Sequence, residues 1–191
     1  MTEIPSDMLL RAQQGDEAAT RAIVAELQRP VTGTIYRFLG PADRRDVEDL
    51  AQEVFLKVFR ALPRFDADHV KFTTWVYSVV RDHCFDVLKR RRPPTTSQRA
   101  ARDGDRDRSD GHELQANLDA GNSELGRRIG EALSTLSEEQ RMVFVLHEYE
   151  RLAHGEIASI TGVNEGTVKS RLARAKDSLR QQLAPYLGTE A

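Results

Sequence analysis

The chain has 191 residues, enough for one large domain or two small ones, and its 39% apolar and 30% charged side chains are in ordinary globular proportion. No apolar run approaches the roughly 18 residues of a transmembrane helix, the acidic start MTEIPSDMLLRAQQGDE is unlike a secretory signal, and one cysteine, Cys84, excludes an internal disulfide framework. A net charge of −2 excludes a generally cationic nucleic-acid binder, and a cytoplasmic protein is expected.

In chain order, residues 6–14 and 16–29 form two amphipathic stretches divided by Gly15-Asp16, with Asp16 placed to cap the second. A further helix is expected over 31–39, ending at Gly40-Pro41. Over 46–62 the apolar residues fall at 47, 50, 51, 54, 55, 58 and 62, the stripe of one helix face. Asp43 or Asp46 could cap that helix, and Pro63 follows its end. A loop over 63–71 leads to a helix over 73–91 with Thr73 as its N-cap. Phe72, Val76, Val79, Val80, Val87 and Leu88 are its core candidates. No segment alternates as a strand, so the fold class is all-α.

Residues 93–126 open on a Pro pair, are rich in Asp, Arg, Ser and Gly, and lack apolar periodicity until about Leu114. They read as a flexible linker with a short helix near 112–120, separating a first domain (6–92) from a second (127–187). The second domain reads as helices near 127–135, 137–148, 154–161 and 165–183, with Ser137 and Gln140 in a capping arrangement.

Residues 154–173, HGEIASITGVNEGTVKSRLA, carry the parts of a helix-turn-helix. Ala158 is small where two helices approach, Gly162 turns the chain, and Val168 anchors the second helix among Ile157, Ile160, Val163 and Leu172. That second helix presents Glu165, Thr167, Lys169, Ser170, Arg171, Arg174 and Lys176, residue types that read base edges or hold phosphates. Lys176 and Arg180 suit phosphates better than bases. The charge distribution agrees. Residues 71–92 hold six basic and two acidic side chains, and 165–184 hold five and two. Two cationic segments in an acidic chain indicate two separate contacts with phosphate.

The segments DVEDLAQEVFLKVFR (46–60), FTTWVYSVVRDHCFDVLKRRR (72–92) and SEEQRMVFVLHEYERLAHGEIASITGVNEGTVKSRLARAKDSLR (137–180) together closely resemble bacterial sigma factors of the extracytoplasmic-function group. The resemblance implies two small helical domains, a region 2 bundle and a region 4 helix-turn-helix, on a flexible linker. It implies that the first binds the clamp helices of RNA polymerase core and opens and reads the −10 element. The second would sit on the flap and read the −35 element. Asp46, Asp49, Gln52, Glu53 and Leu56 then fall in the core-binding segment, its carboxylates offered to arginines. Lys71, Arg81, Lys89, Arg90, Arg91 and Arg92 would hold the backbone of the opened strand. Phe65, Asp66, His69 and Lys71 belong to a loop that would help enclose a flipped base. Trp75 and Tyr77 are candidates for stacking on bases, although aromatics at helical spacing also fit a core, the preferred reading for Trp75. Asp82 stands where the family often has Asn. Ionised Asp only accepts hydrogen bonds, so it would favour cytosine or adenine, or it simply pairs with Arg81 or Lys89.

A 34-residue linker reaches at most about 110–120 Å extended. Two DNA elements about 20–25 base pairs apart are separated by roughly 70–85 Å, so one chain can span both when a polymerase holds it open. The implied partners are core polymerase, promoter DNA as duplex and single strand, and an anti-sigma factor. Neither a small-molecule substrate nor direct membrane insertion is implied.

Other signals are weaker. Asp103, Asp105 and Asp107 alternate like a calcium loop, but Arg108 stands where Gly is required and Leu114 where Glu is required. His83 and Cys84 are adjacent on a helix, and His147 and His154 lack further metal-ligand spacing. No nucleotide-binding or catalytic motif is present, so a protein without enzymatic activity, metal or cofactor is expected. A free-standing duplex-binding regulator and a helical adaptor are the competing readings. The aromatic and basic 72–92 segment speaks against the first.

Overall fold

A computed structural model of the chain describes residues 3–40, 46–91 and 124–187. The linker reading over 93–123, the alternating Asp103, Asp105 and Asp107, the candidate cap Asp43 and Arg92 lie outside these residues. The elements are α1 (Ser6–Gln13), α2 (Glu17–Leu39), α3 (Val47–Ala61), α4 (Phe72–Arg91), α5 (Glu124–Ser134), α6 (Glu138–Glu148), α7 (His154–Thr161) and α8 (Glu165–Leu187). A 3-10 turn, Leu62–Arg64, follows α3. The described residues contain no strand, and none of their helices is long and apolar enough to cross a membrane.

Local chemistry accounts for most boundaries. Asp16 caps α2 by accepting from Ala18 N at 2.8 Å and Ala19 N at 3.1 Å. Ser137 and Gln140 form a reciprocal capping box at the start of α6, Oγ accepting at 3.2 Å and Oε1 at 3.3 Å. Gly162 ends α7 in the left-handed region, φ +68°, which lets the next helix set off at a new angle.

Four expectations are corrected. The stretches 16–29 and 31–39 are one helix, with Pro30 inside it. Ile23, Leu27, Val31, Ile35 and Phe38 lie on one buried face across the proline. Their packing outweighs the hydrogen bond that Pro30 cannot donate. Thr73 is not an N-cap, because α4 already starts at Phe72, and Trp75 N bonds to Lys71 O at 3.0 Å. Asp46 precedes α3 without capping it, its carboxylate being drawn to Arg91 at 3.2 Å. Residues 124–126, read as linker, are the first residues of α5.

All seven apolar stripe positions of 46–62 are buried, from Val47 to Leu62, and they seat α3 on α2 and α4. In α4, Phe72, Val76, Val80 and Val87 are buried, while Val79 and Leu88 pack at the edge. The two helical groups are also in direct contact. Helix α2 packs on α5 and α6, and α4 packs on α7. One continuous apolar cluster therefore runs from Ile4 to Leu172. A smaller cluster, Ala132, Leu133, Leu136, Ala175 and Leu179, joins α5 to α8.

Candidate nucleic-acid interface

Helix α3 shows its acidic face to solvent. Asp46, Asp49, Gln52 and Glu53 are exposed, and Leu56 is 56% exposed, large for an aliphatic side chain. Beneath this face lies His83, 2% exposed, with Nδ1 2.8 Å from Lys57 Nζ.

The next segment gathers Phe65, Phe72 and Trp75 into an aromatic cluster with centroid separations of 4.9–5.6 Å. Trp75 is half-buried there and packs against the core. Asp66 organises the loop before it, accepting from Asp68 N at 2.9 Å and holding His69 Nδ1 at 2.8 Å. These contacts hold the Asp66 carboxyl below its ordinary range, the Asp68 amide foremost. Lys89 and Arg90 are exposed near the end of α4.

Three members of the expected DNA-binding set are engaged elsewhere. Tyr77, 1% exposed, donates its hydroxyl to Glu150 Oε2 at 2.5 Å. Burial first, and then the neighbouring carboxylate, push its phenol well above the ordinary tyrosine value. In this arrangement Tyr77 is not a stacking platform. Arg81 donates to the Ile160 carbonyl at the C-terminal end of α7 and also pairs with Asp82. Lys71 pairs with Glu156 at 3.1 Å, which holds its ammonium above the ordinary lysine value. Glu156 uses its other oxygen to accept from Ala153 N at 2.9 Å, fixing the start of α7.

In the second group, α7 and α8 form the helix-turn-helix. Ile157, Ile160 and Val168 are fully buried and Leu172 is 6% exposed, with Ala158 and Val163 packed beside them. Lys169 and Arg174 are exposed and Arg171 half-buried, none with an ion-pair partner among the described residues. Glu165 is exposed at the start of α8. Thr167 donates N and Oγ1 to Asn164 Oδ1 at 2.8 and 3.1 Å, and Ser170 donates to Thr167 O at 3.0 Å. Asn164 is thus the cap of α8, a role its place just before Glu165 could have signalled. Lys176 departs from expectation. Its ammonium is 2.7 Å from Glu148 and pulls that carboxyl below its ordinary value, with His147 adding to the effect from 2.7 Å. Arg180 likewise pairs with Asp177 at 2.7 Å.

Away from the recognition face, Ile129, Phe144, Tyr149, Leu179 and Leu183 line an apolar groove of about 400 Å³, with Lys176 and Arg180 on its rim. Cys84 is fully buried and its thiol is pushed up by that burial, which removes it from nucleophilic chemistry. His147 and His154 stack at 5.1 Å.

Sequence reasoning missed Glu150. It sits after α6 with 7% exposure, just before Arg151, whose φ of +59° is unusual for a residue with a side chain. Oε1 accepts from Thr34 Oγ1 of α2 at 2.8 Å and Oε2 from Tyr77 of α4. Arg141 makes a second junction, donating to Phe38 O at 2.6 Å, Ser134 O at 2.9 Å and Leu136 O at 3.2 Å. It caps the ends of α2 and α5 at once.

Residues 23–93 match the family described as sigma-70 region 2, and residues 126–179 match sigma-70, region 4. The chain is 30% identical to the ECF RNA polymerase sigma-E factor of Escherichia coli K12, over 98% of this chain and 99% of that one. It is 29% identical to the RNA polymerase sigma-H factor of Pseudomonas aeruginosa, over 97% and 96%. Among solved structures, CnrH in complex with the cytosolic domain of CnrY matches 93% of this chain and 96% of its own, with TM-score 0.69 and 22% identity. The sigma factor RpoE bound to the anti-sigma factor NepR from Bartonella quintana matches 86% and 96%, with TM-score 0.64 and 18% identity.

Proposed function

Because this chain belongs to the extracytoplasmic-function sigma factors of the sigma-70 family, we propose that it binds RNA polymerase core in the cytoplasm and directs it to promoters by reading a −10 and a −35 element. Sigma factors are initiation factors and not enzymes. Their work is to position, to discriminate and to stabilise opened DNA.

Each surface has a part in that work. The exposed carboxylates of Asp49 and Glu53, with Gln52 and the bare side chain of Leu56, suit arginines and an apolar contact on the clamp helices. The first half of α8, with Glu165, Thr167, Lys169, Ser170, Arg171 and Arg174, enters the major groove of the −35 duplex. There Arg and Lys read guanine or hold phosphates. The groove lined by Ile129, Phe144, Leu179 and Leu183 takes an apolar segment of the flap while α8 faces DNA. On opened DNA, Lys71, Arg81, Lys89 and Arg90 hold the strand electrostatically. The Phe65–Lys71 loop, with Asp66, His69 and Trp75 beside it, shelters an extruded base and offsets the few kcal/mol of unstacking. An anti-sigma protein, of the kind seated on RpoE, completes the set of partners.

The observation that carries this reading is one chain with two cationic helices of different chemistry. The exposed Lys169 and Arg174 and the half-buried Arg171 lie on the second helix of a helix-turn-helix, and α4 combines basic and aromatic residues. Run-off transcription with core polymerase on genomic fragments, with and without the chain, tests it. Promoter-specific starts that appear only on its addition are expected. Their absence on every fragment, with no binding to core, would overturn the reading.

A further inference from the structure

We propose that Gln13, the last residue of α1, is a positioning residue for the loop that receives the extruded base. Its side-chain amide holds the backbone at Leu62 and Phe65, and so fixes where the loop carrying Asp66 and His69 leaves the aromatic cluster. The inference rests on the base-sheltering role proposed above for that loop. It adds α1, which holds none of the residues assigned to core or DNA contact, to the opening machinery.

Nε2 of Gln13 donates to Leu62 O at 3.1 Å and to Phe65 O at 2.8 Å, across 49 and 52 positions of the chain. Both partners are carbonyls and only accept, so the amide must turn its nitrogen toward them, and both N–H bonds are used. Leu62 O also accepts from Phe65 N at 3.0 Å, closing the 3-10 turn. The clamp thus grips that turn at both ends, immediately before Asp66. From there Asp66 braces the loop internally through Asp68 N and His69 Nδ1. At the far end Lys71 O accepts from Trp75 N as α4 begins. The loop therefore has two fixed ends, and Gln13 supplies one of them. The end of α1 is itself set firmly. Gly15 takes φ +88°, Gly15 N and Asp16 N bond to Ala12 O and Arg11 O at 3.0 Å each, and Arg11 pairs with Asp16 at 2.6 Å.

The clamp reaches the base-receiving site through Phe65. The Phe65 ring lies 4.9 Å from Trp75 and 5.3 Å from Phe72, so a shift of its backbone moves the aromatic cluster and the first loop residue together. The fold itself leans on other groups. Helix α1 is seated on α2 by the buried Leu9 and Ala12, while Gln13 is only half-buried. Its amide adds placement to a helix that is already packed. Methionine keeps the reach without a donor, and an ionised carboxyl of equal length only accepts. Either substitution frees the entrance of the loop and leaves α1 in place.

Gln13→Met in the full-length chain, joined to core polymerase on a promoter recovered by the run-off experiment, tests this role. Gln14→Met, at the exposed neighbour, is the control. Opening is followed by permanganate reactivity of the melted thymines, with each of the four bases placed in turn at the extruded position. Gln13→Met is expected to slow opening about tenfold, the worth of one or two hydrogen bonds. The spread among the four bases should narrow by about threefold or more, with affinity for core and for −35 duplex unchanged. Gln14→Met should behave as wild type. In the free chain the emission of Trp75, the lone tryptophan, should shift in Gln13→Met. Gln13→Glu adds a pH signature, because its carboxyl faces two acceptors when ionised and regains one donor when protonated. Its Trp75 emission should return toward that of wild type as pH falls from about 8 to about 5, while Gln13→Met stays displaced throughout. Unchanged opening and emission overturn the proposal. So does a loss that falls equally on core binding and on all four bases, the mark of a residue that only stabilises the fold. If Gln13→Met loses helicity, Gln13→Glu decides, and an emission that does not respond to pH overturns the role. A wild type that neither binds core nor opens any promoter removes the proposed function, and this inference with it. Normal opening by wild type, matched by Gln13→Met, removes this inference alone.

Discussion

The ammonium of Lys57 lies 2.8 Å from Nδ1 of His83, a ring 2% exposed beneath the acidic face of α3. Nδ1 accepts, so the proton sits on Nε2, which has no hydrogen-bond partner among the described residues. Glu53 Oε2 is 3.6 Å from it, beyond hydrogen-bond range. Lys57 and Glu53 are spaced to pair along one helix turn. The imidazole engages the lysine instead and leaves Glu53 exposed.

This geometry gives a signed pH dependence. Burial first, then Lys57, hold His83 below the ordinary histidine value, with Arg90 acting in the same direction and Glu53 and Asp86 opposing. The folded ring stays neutral where the unfolded ring takes up a proton, near pH 6.5. Below that pH the unfolded state binds more protons, so stability falls as pH falls. Scanning calorimetry from about pH 7.5 to about pH 5.5 should show a melting temperature that declines more steeply in wild type than in His83→Leu. Parallel profiles would contradict the assignment.

Two residues in the left-handed region predict opposite outcomes. Arg151 has φ +59° and Gly162 φ +68°. A side chain there costs about 1–2 kcal/mol, partly offset in a glycine by its larger unfolded-state entropy. Arg151→Gly should stabilise the chain by about 0.5–1 kcal/mol, raising the melting temperature by a few degrees. Gly162→Ala should destabilise it by about 1–2 kcal/mol. No atom lies within 4 Å of a Cβ placed at Gly162, so that cost is backbone strain alone. Urea denaturation of the three proteins measures both.

What the sequence made legible was local or periodic. The stripe on α3, the Asp16 cap, the Ser137–Gln140 box and the Ala158–Gly162–Val168 spacing each sit within one or two helices, and each is found where its pattern placed it. What it hid depends on distance along the chain. Tyr77 and Thr34 meet Glu150 across 73 and 116 positions, and a single acid in HEYERLAH carries no local signal of burial. The same holds for Pro30, a helix breaker by propensity that the packing of Val31 and Ile35 overrules. Lys176 has recognition-helix spacing, yet only the fold shows Glu148 beneath it.

Asp82 pairs with Arg81 on the surface of α4, with its own side chain 65% exposed. If it also meets a base of the opened strand, its ionised carboxylate can only accept, which favours the exocyclic amines of cytosine and adenine. Asp82→Asn gains a donor and should relax that preference by about tenfold, or roughly 1.4 kcal/mol of lost discrimination. Promoter opening scored with each of the four bases at the contacted position reads it. An unchanged order of preference would assign Asp82 to the Arg81 ion pair alone.

The cations of α8 divide by whether a carboxylate already holds them. Lys169, Arg171 and Arg174 have no ion-pair partner among the described residues, whereas Lys176 is held by Glu148 and Arg180 by Asp177, each at 2.7 Å. A cation that contacts a phosphate releases condensed counterions, so losing it reduces the steepness of the salt dependence by about 0.9 per contact. A lysine already neutralised releases fewer. Arg174→Ala should therefore weaken binding of the holoenzyme to −35 duplex and flatten the plot of log affinity against log salt by about one unit. Lys176→Ala should leave the slope within about 0.3 of wild type, because breaking the pair frees Glu148 as an acid near the DNA and offsets the small loss. Lys169→Ala and Arg171→Ala add a second distinction. A residue on a base edge costs about 1–3 kcal/mol on the preferred sequence and little on others, while a phosphate contact weakens all sequences alike. Fluorescence anisotropy with matched and scrambled duplexes over a range of salt separates the two roles. A slope that drops as much for Lys176→Ala as for Arg174→Ala would mean that Glu148 lets go of its lysine when the helix meets DNA.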